Sequence, residues 1–145
     1  MSITEVEQQQ LLIGGEWGNA RSGETFDRID PYTGDVASTA AAASRDDARA
    51  AAEAASAAFG EWSMTPPSAR RELLQKAAGI LMERAPDIAQ IVTAETGGTF
   101  GWGMFNCTLA AGMLSEAAAQ TTAVTGEVIP SDVPGMTAMA IRQPA

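Results

Sequence analysis

The residues best suited to chemistry lie between Glu95 and Met113, where a carboxylate, a glycine-rich stretch and a cysteine follow one another. Cys107 is the only cysteine and the chain has no histidine, which excludes Ser-His-Asp and Cys-His catalysis and histidine-bearing zinc sites. Because Cys107 stands in an uncharged segment, residues 104–114, we expect a buried and inert thiol rather than a nucleophile.

The glycine-rich stretch covers residues 97–103, with the sequence GGTFGWG. It lacks the Gly-Lys-Ser/Thr of a P-loop, a preceding apolar strand and the G-x-G-x-x-G spacing of dinucleotide sites. We therefore predict a connection between two helices rather than a phosphate site.

An apolar stripe at helical spacing follows, formed by Trp102, Phe105, Leu109 and Met113. Such a stripe is usually core, but it also suits the wall of an apolar ligand pocket. Glu95, at a predicted helix end, is either a solvated or backbone-bonded carboxylate or part of a site. The other acids do not cluster, so no metal site is predicted.

Composition narrows the possible partners. The 145 residues suit one domain, and 18 acidic against 9 basic residues give a net charge of −9. Binding to nucleic acid or to an anionic membrane is therefore disfavoured. A single cysteine and an N-terminus without signal-peptide features predict a cytoplasmic protein.

The elements that position these residues form a mixed α/β piece. Residues 1–10 are expected to be a mobile arm, followed by a β-ribbon with a turn at residues 30–35. Ser44 is the expected cap of the first helix, and Thr65 that of the second, with Pro66 at its first position. The last helix is apolar all round, which predicts burial on every side. The predicted segments are a β-ribbon at 11–39, helices at 44–62, 65–84, 86–96 and 104–122, and a hairpin at 126–145. The sequence stops at 143–145, just past a predicted strand, and we expect a fragment.

Several of these segments, in this order, resemble the NAD(P)-dependent aldehyde dehydrogenases. They are LIGGEW (12–17), DPYTGD (30–35), the alanine-rich helix 48–62, ARRELL (69–74), ETG (95–97), GEVIP (126–130) and RQP (142–144). Asp30 stands where the family commonly has asparagine. The segments GGTFGWGMFN (97–106) and 131–145 are most similar to the salicylaldehyde, benzaldehyde and vanillin dehydrogenases.

The resemblance implies an aldehyde dehydrogenase-like α/β fold. This chain would hold the N-terminal part of the cofactor-binding domain (11–125), made of the ribbon and the helical layer, and the truncated first hairpin of the oligomerisation arm (126–145). The implied activity is oxidation of an aromatic aldehyde to its carboxylate with NAD or NADP, through a cysteine thiohemiacetal and thioester. The family's catalytic and cofactor-binding residues would all follow Ala145. Cys107 is not the nucleophile, and we expect the 145-residue chain alone to be inactive.

The resemblance also bears on four residues of the last helix and on Glu95. It implies that Leu109 and Met113, and more weakly Trp102 and Asn106, line a substrate tunnel. Glu95 resembles the acid at a structural monovalent-cation site beside the ribbon. The implied partners are a small aldehyde and further copies in a homodimer or homotetramer. The alternatives are a dehydrogenase of aliphatic aldehydes or semialdehydes, or a non-catalytic helical binding module.

Overall fold

The computed structural model describes residues 8–143, in which five strands precede four helices and a short hairpin follows. Of the predicted mobile arm, residues 1–7 lie outside the described residues. Gln8 and Gln9 instead form a strand, because the edge of a later strand offers them backbone hydrogen-bond partners. The elements are β1 (Gln8–Gln9), β2 (Leu11–Ile13), β3 (Glu16–Gly18), β4 (Thr25–Ile29), β5 (Val36–Ala41), α1 (Arg45–Ser63), α2 (Pro67–Glu83), α3 (Ala85–Thr96), α4 (Phe100–Gln120), β6 (Glu127–Ile129) and β7 (Ala138–Ala140).

The N-terminal ribbon consists of two small sheets. One has the strand order β1-β5-β4, with β4 and β5 antiparallel, and the other is the β2-β3 hairpin. The turn between β4 and β5 is closed by the Asp30 N–H donating to the Asp35 carbonyl at 2.9 Å, and by the Gly34 N–H donating to the Asp30 carbonyl at 2.8 Å. Gly34 has φ 82°, so the predicted role of glycine late in this turn is confirmed.

Helix α1 begins at the predicted cap. The Ser44 hydroxyl accepts from the Asp47 N–H, and the Asp47 carboxylate accepts from the Ser44 N–H at 2.8 Å, which completes a capping box. The buried Asp47 carboxylate also accepts from the backbone N–H of Arg21 at 3.3 Å. The same side chain therefore starts α1 and fastens it to the loop after β3.

Helix α2 begins one residue later than predicted. Pro66 is the cap, with extended φ −66° and ψ 153°, and Pro67 is the first helical residue. The expectation of Thr65 as cap and Pro66 as first helical residue is wrong, because a residue that precedes proline is pushed out of the helical region. The second proline of the pair therefore sets the start.

Helix α4 begins four residues before the predicted position. Gly97 ends α3 in the left-handed conformation, φ 69°, as predicted. The Thr99 hydroxyl then accepts from the Trp102 N–H at 3.2 Å and caps α4, so Phe100 is already helical. Only Gly97, Gly98 and Thr99 remain in the connection. Four of the seven residues of the glycine-rich stretch, 100–103, thus form the first turn of the helix.

The interior between α4 and helices α2 and α3 is built from small side chains. On α4 the buried residues are Gly103, Cys107, Ala111 and Ala118, which share one face. Ala89 on α3 is fully buried against them, and no large side chain within residues 8–143 is fully buried. The Arg71 side chain of α2 donates to the Ala118 carbonyl at 3.3 Å and holds the end of α4.

The prediction that α4 is buried on every side is wrong for the described residues. Its small face is covered by α2 and α3, whereas its large apolar side chains are exposed. Within the described residues α4 packs mainly on α2 and α3, while β6 and β7, the elements after it, pair with each other. Among residues 8–143, no helix combines the length and the hydropathy that crossing a bilayer would require.

Candidate functional site

The exposed face of α4 carries the candidate site. Trp102, Leu109 and Met113 are 56%, 46% and 63% exposed, and they lie on one side together with Phe105. The Trp102 and Phe105 rings stack with their centroids 5.6 Å apart and their planes 26° apart. Helical spacing places this side, which we call the apolar stripe, opposite the small buried face. The structure therefore brings together the predicted tunnel residues on one surface.

A shallow groove runs along the stripe, and the fourth predicted residue lies beside it. Asn106 is exposed, and its side-chain amide donates to the Trp102 carbonyl at 2.9 Å, one turn earlier in the same helix. One of its amide hydrogens is thus used within the helix, while the side chain still faces solvent. The groove is lined by Phe105, Thr108, Leu109, Gly112, Met113 and Glu116.

Cys107 lies on the other side of the helix. It is buried with the small residues that face α2 and α3, so the prediction of a core cysteine is confirmed. Its thiol therefore does not line the groove with Leu109 and Met113. Within the described residues, no group of three or more histidine, cysteine or acidic side chains is placed to hold a metal ion.

The connection between α3 and α4 uses several of its amide groups internally. The Gly97 N–H donates to the Thr93 carbonyl, and the Gly98 N–H donates to the Thr96 hydroxyl. The Trp102 N–H donates to the Thr99 hydroxyl, which caps α4. A phosphate cradle needs free backbone N–H groups, so these three bonds favour a connection between two helices.

Glu95 lies in the last turn of α3, where the ribbon packs against the helices. Nη1 of Arg28, on β4, donates to both Glu95 carboxylate oxygens, at 2.9 and 2.8 Å. The Ser38 hydroxyl, on β5, donates to Oε1 of the same carboxylate. Neither simple alternative for Glu95, a solvated or a backbone-bonded carboxylate, matches this three-residue network.

The network sets the protonation of Glu95. Burial acts to raise its pKa, but the Ser38 hydroxyl and the Arg28 guanidinium outweigh burial and hold the pKa below the ordinary 4.5. A carboxylate whose pKa is lower in the folded state stabilises the fold above its unfolded pKa. That contribution is lost as the pH falls through the lowered value.

We therefore predict that Glu95→Gln reduces the free energy of unfolding by about 2 kcal/mol at pH 7 and by less at pH 4. The wild-type protein should lose this part of its stability on acidification from pH 5 to pH 4 and below, and the variant should not. Urea unfolding of the full-length protein across this pH range measures both. Glu83→Gln, on the exposed side of α2, is the matched control. Parallel pH curves for wild type and Glu95→Gln would contradict the prediction.

Comparison with known proteins identifies the family of this chain. The model of the family described as "Aldehyde dehydrogenase family" matches residues 17–145. The chain belongs to the aldehyde dehydrogenase family. A vanillin dehydrogenase of Pseudomonas sp. (strain HR199 / DSM 7063) is 52% identical over 134 residues, which are 92% of this chain and 28% of that protein.

Solved aldehyde dehydrogenases have the same fold over this segment. A salicylaldehyde dehydrogenase from Pseudomonas putida G7, complexed with salicylaldehyde, matches 97% of this chain and 29% of its own, with a TM-score of 0.91 and 32% identity. An NAD-dependent benzaldehyde dehydrogenase from Corynebacterium glutamicum matches 88% of this chain and 28% of its own, with a TM-score of 0.82 and 34% identity. The predicted aldehyde dehydrogenase-like fold is confirmed. The chain spans little more than a quarter of the length of these proteins.

Sequence reasoning missed two partners of Glu95. Arg28 and Ser38 lie 67 and 57 residues before it, and their side chains meet it only because β4 and β5 pack beside the end of α3. Strand alternation offered a weak signal, because it places the charged Arg28 on the same side of the chain as Phe26 and Asp30 in an otherwise ordinary hairpin. No local spacing links it to a helix end.

Proposed function

We propose that this chain is the N-terminal part of an NAD(P)-dependent aldehyde dehydrogenase that oxidises an aromatic aldehyde to the carboxylate. Family membership supports an aldehyde as substrate. The preference for an aromatic one is supported by 52% identity to a vanillin dehydrogenase and by similarity to enzymes named for salicylaldehyde and benzaldehyde.

The observation that carries the proposal is the inverted arrangement of side chains on α4. A helix that packs against other elements on only one side normally buries its large apolar residues on that side. In α4 the small residues are buried, and the large ones, Trp102, Phe105, Leu109 and Met113, face outward. A wall of stacked rings and flexible aliphatic chains suits a flat aryl group, which gains both area burial and ring contacts.

In this proposal the chain helps to position and enclose the aldehyde, and the catalytic residues lie in other parts of the protein. Residues 11–125 would form the N-terminal part of the cofactor-binding domain, and residues 126–145 the first hairpin of an oligomerisation arm. The β6-β7 pair has open edges, which a second subunit of a homodimer or homotetramer would cover. NAD or NADP would bind to the full-length enzyme outside the described residues, and the enzyme would act in the cytoplasm.

Substrate comparison with the full-length protein tests the proposal. We expect kcat/KM for vanillin, salicylaldehyde or benzaldehyde to exceed that for hexanal and succinate semialdehyde by about 10-fold or more. Formation of the reduced nicotinamide, with NAD and NADP supplied separately, is the measurement. Higher kcat/KM for succinate semialdehyde would place the protein in another branch of the family, and no turnover of any aldehyde would favour a non-catalytic binding module.

The isolated 145-residue chain is the matched control. We expect it to be inactive with every aldehyde and to bind an apolar dye strongly, because the stripe and other large apolar side chains are exposed. Turnover by the chain alone, or a sharp two-state melt without dye binding, would contradict the proposed division of labour.

A further inference from the structure

The Glu95 network conflicts with the monovalent-cation site that the family resemblance implied at this position. A Na⁺ or K⁺ site is a cage of oxygen atoms, which supply only lone pairs to the ion. Around Glu95 the structure shows a guanidinium, which has five N–H donors, no acceptor and a permanent positive charge. Both carboxylate oxygens already accept from Nη1 of Arg28. The residues present therefore do not fit a bound cation.

The Ser38 hydroxyl and the partial burial of both side chains also favour the Arg28–Glu95 pair over a bound cation. The Ser38 hydroxyl is buried and directs its hydrogen at Oε1 of Glu95. Arg28 is itself half-buried, with 40% of its side chain exposed, against 17% for Glu95. A cation brought into contact with this carboxylate would lie within a few ångströms of the guanidinium charge and be repelled by it. Within residues 8–143, no group of three or more histidine, cysteine or acidic side chains is placed to hold a metal ion.

The position of the pair gives it a mechanical role. Arg28 is on β4, Ser38 on β5, and Glu95 on the last turn of α3, so the network joins three elements. Two residues further on, Gly97 lies so close to Pro31 in the β4-β5 turn that a Cβ there would be 3.0 Å from the proline Cγ. The end of α3 and the ribbon are therefore in close contact, and the Arg28–Glu95 pair links them two residues before Gly97.

We propose that the Arg28 guanidinium takes the place of a bound monovalent cation at Glu95, so that the ribbon docks on α3 without Na⁺ or K⁺. The positive charge is part of a side chain of β4, so its presence beside Glu95 does not depend on which salt is in solution. Stability of this region then follows the integrity of the Arg28–Glu95 pair, not the identity of the alkali cation.

Thermal unfolding of the full-length wild-type protein in NaCl, KCl and choline chloride at equal ionic strength is the first test. Choline is too large for an alkali-ion site, so a bound Na⁺ or K⁺ would be lost in its salt. We expect the three midpoints to agree within about 1 °C, which corresponds to a fraction of a kcal/mol for a protein of this size. A midpoint that falls in choline and is restored by Na⁺ or K⁺ overturns the proposal without any variant.

The variant Arg28→Ser provides the second test, because it removes the guanidinium and leaves space and a hydroxyl oxygen. In choline we expect a midpoint about 2–4 °C below that of wild type. Na⁺ or K⁺ should recover part of this loss by occupying the vacated position. A destabilised variant that no alkali cation rescues overturns the proposal, because Arg28 would then be a tether and not a substitute for an ion.

Arg49→Ser is the matched control. Arg49 pairs with Asp46 at 3.5 Å on the exposed surface of α1, and its replacement removes the same charge and the same side chain. We expect no dependence on the alkali cation in this control. Where Arg28→Ser is too unstable to purify, Arg28→Gln, which removes the charge but keeps the aliphatic stem and an amide donor, takes its place with the same expected rescue.

Discussion

Gly103→Val is expected to destabilise the protein by about 3 kcal/mol or more, because α3 and α4 are in backbone contact at this residue. A Cβ built on Gly103 would lie 2.7 Å from the Cα and 2.8 Å from the Cβ of Ala89. Ala89 is fully buried and its backbone cannot rotate away as a flexible side chain would. The two helices must move apart, which also shifts the apolar stripe carried by α4. Thermal unfolding and kcat/KM of the full-length variant measure the two effects.

Gly103→Ala and Gly112→Ala form a matched pair on the same helix. Alanine in place of glycine within a helix normally adds about 0.5–1 kcal/mol of stability. Gly112 has nothing within 4 Å of a built Cβ, so we expect this gain there. At Gly103 the steric conflict should outweigh it and give a net loss. A Gly103→Ala protein as stable as Gly112→Ala would show that the α3-α4 approach is less tight than the structure has it.

The glycines of α4 explain why the start of this helix could not be predicted from the sequence. Composition favoured a loop across residues 97–103, since glycine is the most common turn residue and a poor helix former. The Thr99 cap and the demand for a close helix crossing at Gly103 overrode that preference. Local features such as the Ser44 cap, the Gly97 end of α3 and the turn at Gly34 were predictable because each depends on only a few neighbouring residues.

The candidate site likewise has a part that could be predicted from the sequence and a part that could not. Helical spacing alone placed Trp102, Leu109 and Met113 on one face, and the structure confirms that they share it. Spacing did not decide between core and exposed wall, because that depends on which layers cover α4. The network at Glu95 was not predictable from spacing, since its three members come from β4, β5 and α3. Pairing of that kind is set by tertiary packing.

Leu109→Ala is expected to lower kcat/KM for vanillin in the full-length protein by about 10-fold to 100-fold. Removing the isobutyl group takes away apolar contact that the proposed tunnel wall offers to an aryl ring, and contact of this size is worth about 1–3 kcal/mol in a transition state. Acetaldehyde, which has no ring to contact the wall, should lose far less. Steady-state kinetics with both aldehydes, at saturating cofactor, give the two values.

Leu73→Ala separates a wall effect from general damage. Leu73 lies on α2, outside the stripe, and within the described residues it is 52% exposed against 46% for Leu109, so the two substitutions remove the same side chain from two different helices. The decisive quantity is the ratio of kcat/KM for vanillin to that for acetaldehyde. Partial unfolding lowers both values together and leaves the ratio unchanged, whereas loss of a contact to the ring lowers only the value for vanillin. An unchanged ratio in Leu109→Ala would place Leu109 in the packing against the rest of the protein and not in the tunnel wall.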